Sequence, residues 1–306
     1  MLKFNKKFSP EYGKVTKVTP LIRRLVAHNP SPFTFYGTGT YIVGENIVNR
    51  KNIAIIDPGP AIASHLQALE KLLETATVSH ILVTHNHLDH SPAAKPLKQM
   101  TGAEIYAFDP GQQADMDNRA EEGQHTEESC DQNFAPDHIL QDGDVITGDG
   151  WTLEAVHTPG HLPNHLCFAL KEEKALFTGD HVMGWSTSVI AEPGGDMKDY
   201  MISLEKLLSR DDQIYYPTHG APIENPKPYV KALIAHRRAR ERQILAAIAD
   251  GAVTIPEIVA LIYCDIPSYL HPAAACSVHA HLIHMTEEGR VKCQDDMGKA
   301  GIFTSA

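Results

Sequence analysis

The chain has 306 residues, of which 42% are hydrophobic and 21% charged, and a formal charge of −11 at pH 7. Such a length admits about two domains, or one large α/β domain with an appendage, and the composition is that of a chain with a sizeable core. The acidic balance excludes a broadly basic surface for coating nucleic acid, though not a local basic groove.

Residues 1–7 are basic, but no long apolar run follows them, and no stretch approaches the ~18 apolar residues of a membrane span. Tyr41-Ile42-Val43 and Ile53-Ala54-Ile55-Ile56-Asp57 read as strands, the second ending in the turn Asp57-Pro58-Gly59-Pro60. Leu66, Leu69, Leu72 and Leu73 set a helical spacing over 61–76. A strand over 80–84, a short helix near 93–100 and a strand over 104–108 follow. Periodicity is then lost over 110–136, a stretch rich in Gln, Asp, Glu, Asn and Gly. A connection that long inside a domain is either a functional lid or a mobile surface loop. Strand signals return at 152–157, 166–170, 175–178 and 213–216, with a helix near 199–208. Hairpins mixed with crossovers favour two packed mixed sheets with helices outside.

Pro222, Pro226 and Pro228 mark a junction that divides the chain into 1–224 and 225–306. Residues 229–249 read as one helix, with Ile234, Ile244, Leu245 and Ile248 on its apolar face, stopped by Gly251. It carries the basic run His236-Arg237-Arg238-Ala239-Arg240-Glu241-Arg242. Arg237, Arg238 and Arg242 cannot all share one helix face, so the run reads as a solvated helix or as a polyanion contact. Thr254-Ile255-Pro256-Glu257 matches a capping box, opening a helix through 263. A third helix over 272–288 and a β-hairpin over 290–303 complete the pattern of a winged-helix module. That third helix carries His279, His281 and His284 but no Lys or Arg, unlike a base-reading helix. It is expected to pack on the first domain or to mediate a homodimer. The five cysteines (Cys130, Cys167, Cys264, Cys276 and Cys293) lack CxxC spacing and read as reduced thiols in a cytoplasmic protein with no membrane partner.

The chemistry lies at strand ends. Ile81-Leu82-Val83 leads into Thr84-His85-Asn86-His87-Leu88-Asp89-His90. Later strands lead in the same way into His161, Asp180 and His219. One His after a strand is ordinarily a hydrogen-bonded surface residue. Four strand ends agreeing point to a nitrogen- and oxygen-donor site for zinc or a related divalent ion. Thr84, Thr158, Thr178 and Thr218 each sit beside a candidate ligand, where a hydroxyl can orient it. His157, His165 and His181 are candidates for a proton donor. His165 is the first choice, because a strand begins there and would aim it back into the cleft.

His85, His87, Asp89, His90, His161, Asp180 and His219, in that order, resemble the ligand set of the metallo-β-lactamase fold superfamily. The resemblance implies an α/β fold, a four-layer αββα sandwich over roughly 15–225. It implies that His85, His87 and His161 bind one ion, that Asp89, His90 and His219 bind a second, and that Asp180 bridges both. The two divalent ions would be Zn2+, with Fe or Mn accepting the same donors. A hydroxide bridging them would attack an ester, thioester or related bond, with Asp89 and His165 as catalytic residues. Asp180 favours the dinuclear hydrolases over true β-lactamases, which carry Cys or His there.

The motifs Gly37-Thr38-Gly39-Thr40-Tyr41, Val182-Met183-Gly184-Trp185 and His219-Gly220-Ala221-Pro222, with the helical tail, resemble the lactamase-beta-like protein 2 group. A member of that group cleaves single-stranded RNA, so the expected partner is a small ester or thioester, or alternatively single-stranded RNA. The acidic 110–136 stretch would repel phosphates if it covered the cleft. A winged-helix nucleic-acid-binding regulator is the alternative of another class.

Overall fold

The computed structural model describes residues 2–45, 52–111, 129–265, 267–294 and 297–306. The middle of the 110–136 connection therefore lies outside the described residues, and with it the lid or loop expected there. The first sheet runs in sequence order through β1 (Thr16–Lys17), β2 (Ile22–Val26), β3 (Gly39–Val43), β4 (Asn52–Ile56), β5 (Thr77–Leu82), β6 (Glu104–Ala107) and β7 (His138–Ile139). It is antiparallel up to β4 and parallel from there on. Parallel neighbours need a crossover, which α1 (Ala63–Leu73) and α2 (Ala94–Thr101) supply.

The second sheet holds β8 (Val145–Gly148), β9 (Trp151–His157), β10 (Leu166–Leu170), β11 (Ala175–Gly179), β12 (Ile214–Pro217) and β13 (Ile223–Glu224), again in order. Only β11 and β12 pair in parallel, joined across α3 (Met197–Ser209).

Alternation along the strands decides the layers. Tyr41, Val43 and Ile56 point between the sheets, against Leu153, Phe168 and Phe177 of the other sheet. Ile42, Ile53 and Ile55 point outward onto Leu69, Leu72 and Leu97. Val156, Cys167 and Leu176 point the other way, onto Tyr200, Leu204 and Leu207 of α3. The result is helix, sheet, sheet, helix. β10 and β11 are buried at every residue, which is why both read as unbroken apolar runs.

The tail comprises α4 (Pro226–Ala249), α5 (Ile255–Ile262), α6 (His271–Glu287) and the hairpin of β14 (Val291–Cys293) and β15 (Phe303–Ser305). The capping box of Thr254 and Glu257 is formed in both directions. α4 serves two cores: Val230, Leu233 and Ile234 pack in the helical layer beside α3, while Ile244, Ala247 and Ile248 pack against α5 and α6. Ala280 of α6 reaches the α3 layer as well, so the tail packs on the first domain.

Three differences from the sequence reading have physical causes. β5 stops at Leu82, so irregular backbone at 83–84 carries the chain to His85. β2 was hidden by Arg23 and Arg24, yet Arg24 is buried, its guanidinium donating to the carbonyls of Gly220 (2.6 Å) and Thr218 (2.7 Å). In the basic run, Arg237 and Glu241 are buried rather than solvated, while Arg238 pairs with Glu205 at the surface.

Candidate metal centre

The two sheets deliver their strand ends to one edge. His85, His87, Asp89 and His90 follow β5; His161 follows β9, Asp180 follows β11 and His219 follows β12. None of the seven is more than 3% exposed. The connection that leaves β6 returns to this edge, where Asp131 N–H donates to Asn86 O and Leu88 N–H to Ser129 O.

Donor atoms converge in three groups, each within 4.8 Å: His85, His87 and His161; His85, His90 and Asp180; Asp89, His90 and His219. In the first, Nδ1 of His87 lies 3.0 Å from His85 Nε2 and 3.2 Å from His161 Nε2. In the last, Asp89 Oδ2 lies 3.1 Å from His219 Nε2 and 3.2 Å from His90 Nε2. Donors about 2.0–2.1 Å from one tetrahedral ion lie about 3.3 Å apart, so both spacings suit a shared cation. Asp180 joins His85 and His90 in the middle group, its Oδ1 3.6 Å from His90 Nε2, and its Oδ2 lies 3.3 Å from His219 Nε2 of the last. His90 Nε2 and Asp180 Oδ1 are enclosed yet form no hydrogen bond, which a buried polar atom ordinarily does unless a ligand takes its place. The residues present fit divalent ions.

Hydrogen bonds on the far side of each ring aim these donors. His161 Nδ1–H donates to Val189 O (2.7 Å) and His219 Nδ1–H to Gly37 O (3.2 Å). A carbonyl can only accept, so each bond keeps Nδ1–H outward and turns Nε2 toward the centre. Gly37 is required there: its φ is +126°, and a Cβ would come 2.1 Å from Ala27 O.

Asp57, unmentioned among the sequence candidates, is the hub. Its Oδ2 accepts from Thr84 Oγ1, Thr218 Oγ1 and His90 Nδ1, each at 2.9 Å, and its Oδ1 accepts from Thr84 N–H at 2.8 Å. Since the Thr84 hydroxyl proton goes to Asp57, its oxygen accepts from His85 Nδ1–H at 3.0 Å, turning His85 Nε2 inward too. Two of the four threonines beside the candidate ligands thus orient the site through Asp57, and Thr38 donates to Asp89 Oδ2 at 2.9 Å.

The electrostatics split the centre. Burial, reinforced by neighbouring imidazoles, holds His85 and His87 well below the usual histidine range, leaving neutral donors. Burial acts the same way on His90 and His219, but carboxylates overcome it. Asp89, Asp180 and Asp57 raise His90 well above its ordinary value, and Asp180 and Asp89 raise His219 to about 10. Conversely, His90 and His219 hold Asp89 and Asp180 below the carboxylate range although burial pushes both upward.

Such a strand-edge arrangement has counterparts. Residues 39–219 match the profile of the metallo-beta-lactamase superfamily, and 254–299 match that of the beta-lactamase associated winged helix domain. The chain belongs to the metallo-β-lactamase superfamily. As a member it is a hydrolase. The lactamase-like protein adaB of Aspergillus niger is 32% identical over 92% of this chain and 85% of its own length. The atrochrysone carboxyl ACP thioesterase of Claviceps purpurea is 32% identical over 83% of this chain and 76% of its own. The beta-lactamase-like protein 2 homolog of Caenorhabditis elegans is 29% identical, covering 91% and 88%. A beta-lactamase domain protein from Burkholderia ambifaria shares the fold along the whole chain, with a TM-score of 0.81 at 20% identity, covering 100% of this chain and 97% of that one.

Within this superfamily hydrolase, none of the three proton-donor candidates falls within the donor groups. His165 is fully buried behind the candidate ligands: its Nδ1 bonds Thr158 Oγ1 (2.9 Å) and its Nε2 accepts from Asp180 N–H (3.2 Å). Burial, with the charges of His181 and His161, holds it well below the usual range. The strand that begins beyond it leaves its Nε2 bonded to the Asp180 backbone, next to the Leu166 N–H that donates to the Thr84 carbonyl. His157 Nε2–H donates to Pro163 O, and His181 is enclosed against the Tyr200 ring.

Proposed function

We propose that this chain hydrolyses thioesters at a two-metal centre, with His85, His87 and His161 holding one ion, Asp89, His90 and His219 the other, and Asp180 shared. The observation that carries the reading is the convergence of seven buried donors in spacings that fit two cations, with Asp180 in the middle group. Zn2+ is the first expected ion, and Fe or Mn accept the same donors. Bound there, the pair would acidify a water toward neutral pH and polarise the scissile carbonyl. The protein's own part is to aim lone pairs and to manage protons. Asp89, its Oδ2 fixed by the Thr38 hydroxyl, is the proposed catalytic carboxylate that would orient the nucleophile by a hydrogen bond as it attacks carbon. His165 fixes the peptide of Asp180.

The leaving group favours a thioester. Attack forms a C–O bond and breaks the C–S bond, expelling a thiolate whose conjugate acid has a pKa of about 8.5. A thiolate leaves without being protonated. An alkoxide from an RNA phosphodiester needs a proton donor, whereas His157 is bonded to Pro163 O, both ring nitrogens of His165 are engaged by Thr158 and the Asp180 backbone, and His181 is buried against Tyr200. The thioesterases among the relatives, from Claviceps purpurea and Aspergillus fumigatus, point the same way.

The test is a parallel assay of the metal-loaded protein on an acyl thioester, a lactone, a β-lactam, a phosphodiester and single-stranded RNA. Thioester turnover that a chelator abolishes and divalent metal restores is the expected result. RNA cleavage without thioester turnover, at two ions per chain, would sink it.

A further inference from the structure

We infer that α4, the helix that carries the winged-helix module, is a positioning element of the metal centre. It acts through Arg237 and Tyr229 on the connection between β11 and α3. That connection opens on Asp180 and contains Val189, whose carbonyl accepts from His161 Nδ1–H at 2.7 Å. α4 holds it at two points. Tyr229 Oη–H donates to Met183 O at 2.8 Å, and Arg237 Nη2–H donates to Ser188 O at 2.6 Å.

The Arg237 contact is built rather than incidental. Its side chain is 4% exposed, and a buried guanidinium is costly unless it is hydrogen-bonded. It lies over the face of Tyr200, 5.1 Å from the ring centre, and Tyr200 Oη–H donates to Ser188 Oγ. Ser188 Oγ–H in turn donates to His181 O at 2.6 Å, which closes the connection on itself. The carbonyls of Ser188 and Val189 belong to consecutive peptides. Displacing the first rotates the second, and with it the ring of His161.

One turn along α4, Glu241 accepts from Arg290 at 2.8 Å and faces His284 Nδ1 at 3.3 Å. The tail therefore braces α4 from behind, and α4 braces the connection. This gives α4, rather than the tail core, the part in holding metal. It also uses the residues of the basic run that the helix buries, leaving Arg238 to its surface partner.

The inference rests on the two-metal reading, which the wild-type ion count tests by itself. For the inference, the full-length Arg237→Leu variant is loaded with Co2+ and titrated against a competing chelator. The ion held by His85, His87 and His161 should bind about 10- to 100-fold more weakly, leaving one ion per chain after dialysis. Its visible spectrum should match that of His161→Ala and not that of His219→Ala. Arg237→Lys should recover part of the loss. Ile258→Ala, a cavity in the tail core away from the connection, should lower the melting temperature and keep both ions. If Arg237→Leu does not fold, Tyr229→Phe removes a single hydroxyl and should weaken binding about 2- to 10-fold. Wild-type affinity in the folded Arg237 or Tyr229 variant, or the same selective loss in Ile258→Ala, would overturn the inference.

Discussion

Replacing Asp57 by Asn changes one atom and leaves shape intact, yet it should unsettle both the fold and the metal centre. The carboxylate is 1% exposed and accepts four hydrogen bonds, three on Oδ2 and one on Oδ1. With the amide oxygen in the Oδ2 position, the NH2 faces the Thr84 N–H and one buried donor is orphaned. Turned the other way, three are. The better orientation costs about 1–3 kcal/mol for the orphan. The remaining bonds lose charge assistance, including the one to His90, and charge-assisted bonds are about twice as strong as neutral ones. Together this amounts to about 2–4 kcal/mol of stability. Urea unfolding of chelator-treated protein isolates that term, because bound metal would otherwise stabilise the native state by mass action. With His90 no longer aimed, metal affinity should also fall about 10- to 100-fold. An Asn variant within about 0.5 kcal/mol of wild type, with unchanged affinity, would show that Asp57 is not the hub.

Asp180→Ala should lose metal and thioester turnover together, read by elemental analysis beside the assay; activity lost with both ions retained would remove Asp180 from the ligand set. His165→Gln should lower kcat and leave the shape of the pH profile unchanged, since a ring held neutral behind Asp180 does not titrate in the working range. Loss of the basic limb would instead make it the proton donor. Burial raises the Cys167 thiol from 9.0 to about 12. The unfolded thiol ionises first, so its contribution to stability is full below about pH 9 and is lost as pH rises toward 12. The fall in urea midpoint above pH 9 should shrink in Cys167→Ala, and a thiol reagent at pH 8 should modify the exposed Cys264 and spare Cys167.

What the sequence made legible was local. Each candidate ligand follows a short strand, and β10 and β11 are legible because burial on both faces leaves unbroken apolar runs, while β9 shows the alternation of a half-buried strand. Asp57 obeyed the same strand-end rule and was passed over. It sits in Asp57-Pro58-Gly59-Pro60, which reads as turn chemistry, and its φ of +49° is indeed turn-like. Nothing local distinguishes a turn aspartate from one that accepts from Thr218, far along the chain. β2 failed for a related reason. Arg23 and Arg24 break its pattern, and only the carbonyls of Thr218 and Gly220 make Arg24 a buried residue. β1, β7 and β13 are two residues each, too short to carry any period. Arg237 and Glu241 stand at i and i+4, so a shared helix face was visible. That the face is buried depends on Ser188 and Arg290.

The orienting groups come from three places far apart in the chain: Gly37 and Thr38 for His219 and Asp89, Asp57 for His90 and Val189 for His161. Such dispersion follows from what the centre demands. Imidazole nitrogens lie 3.0–3.2 Å from one another there, and Asp89 and Asp180 share the same enclosed space. A single strand end cannot hold that many groups in place. Bracing the ligands from several elements lets the hydrogen bonds of the whole sandwich hold them. A bound ion would add to that: present at 1,000 times its dissociation constant, it would stabilise the native state by about 4 kcal/mol. On the two-metal reading, stability and metal retention would be coupled in this fold, through Asp57 and the α4 contacts as well as through the ligands themselves.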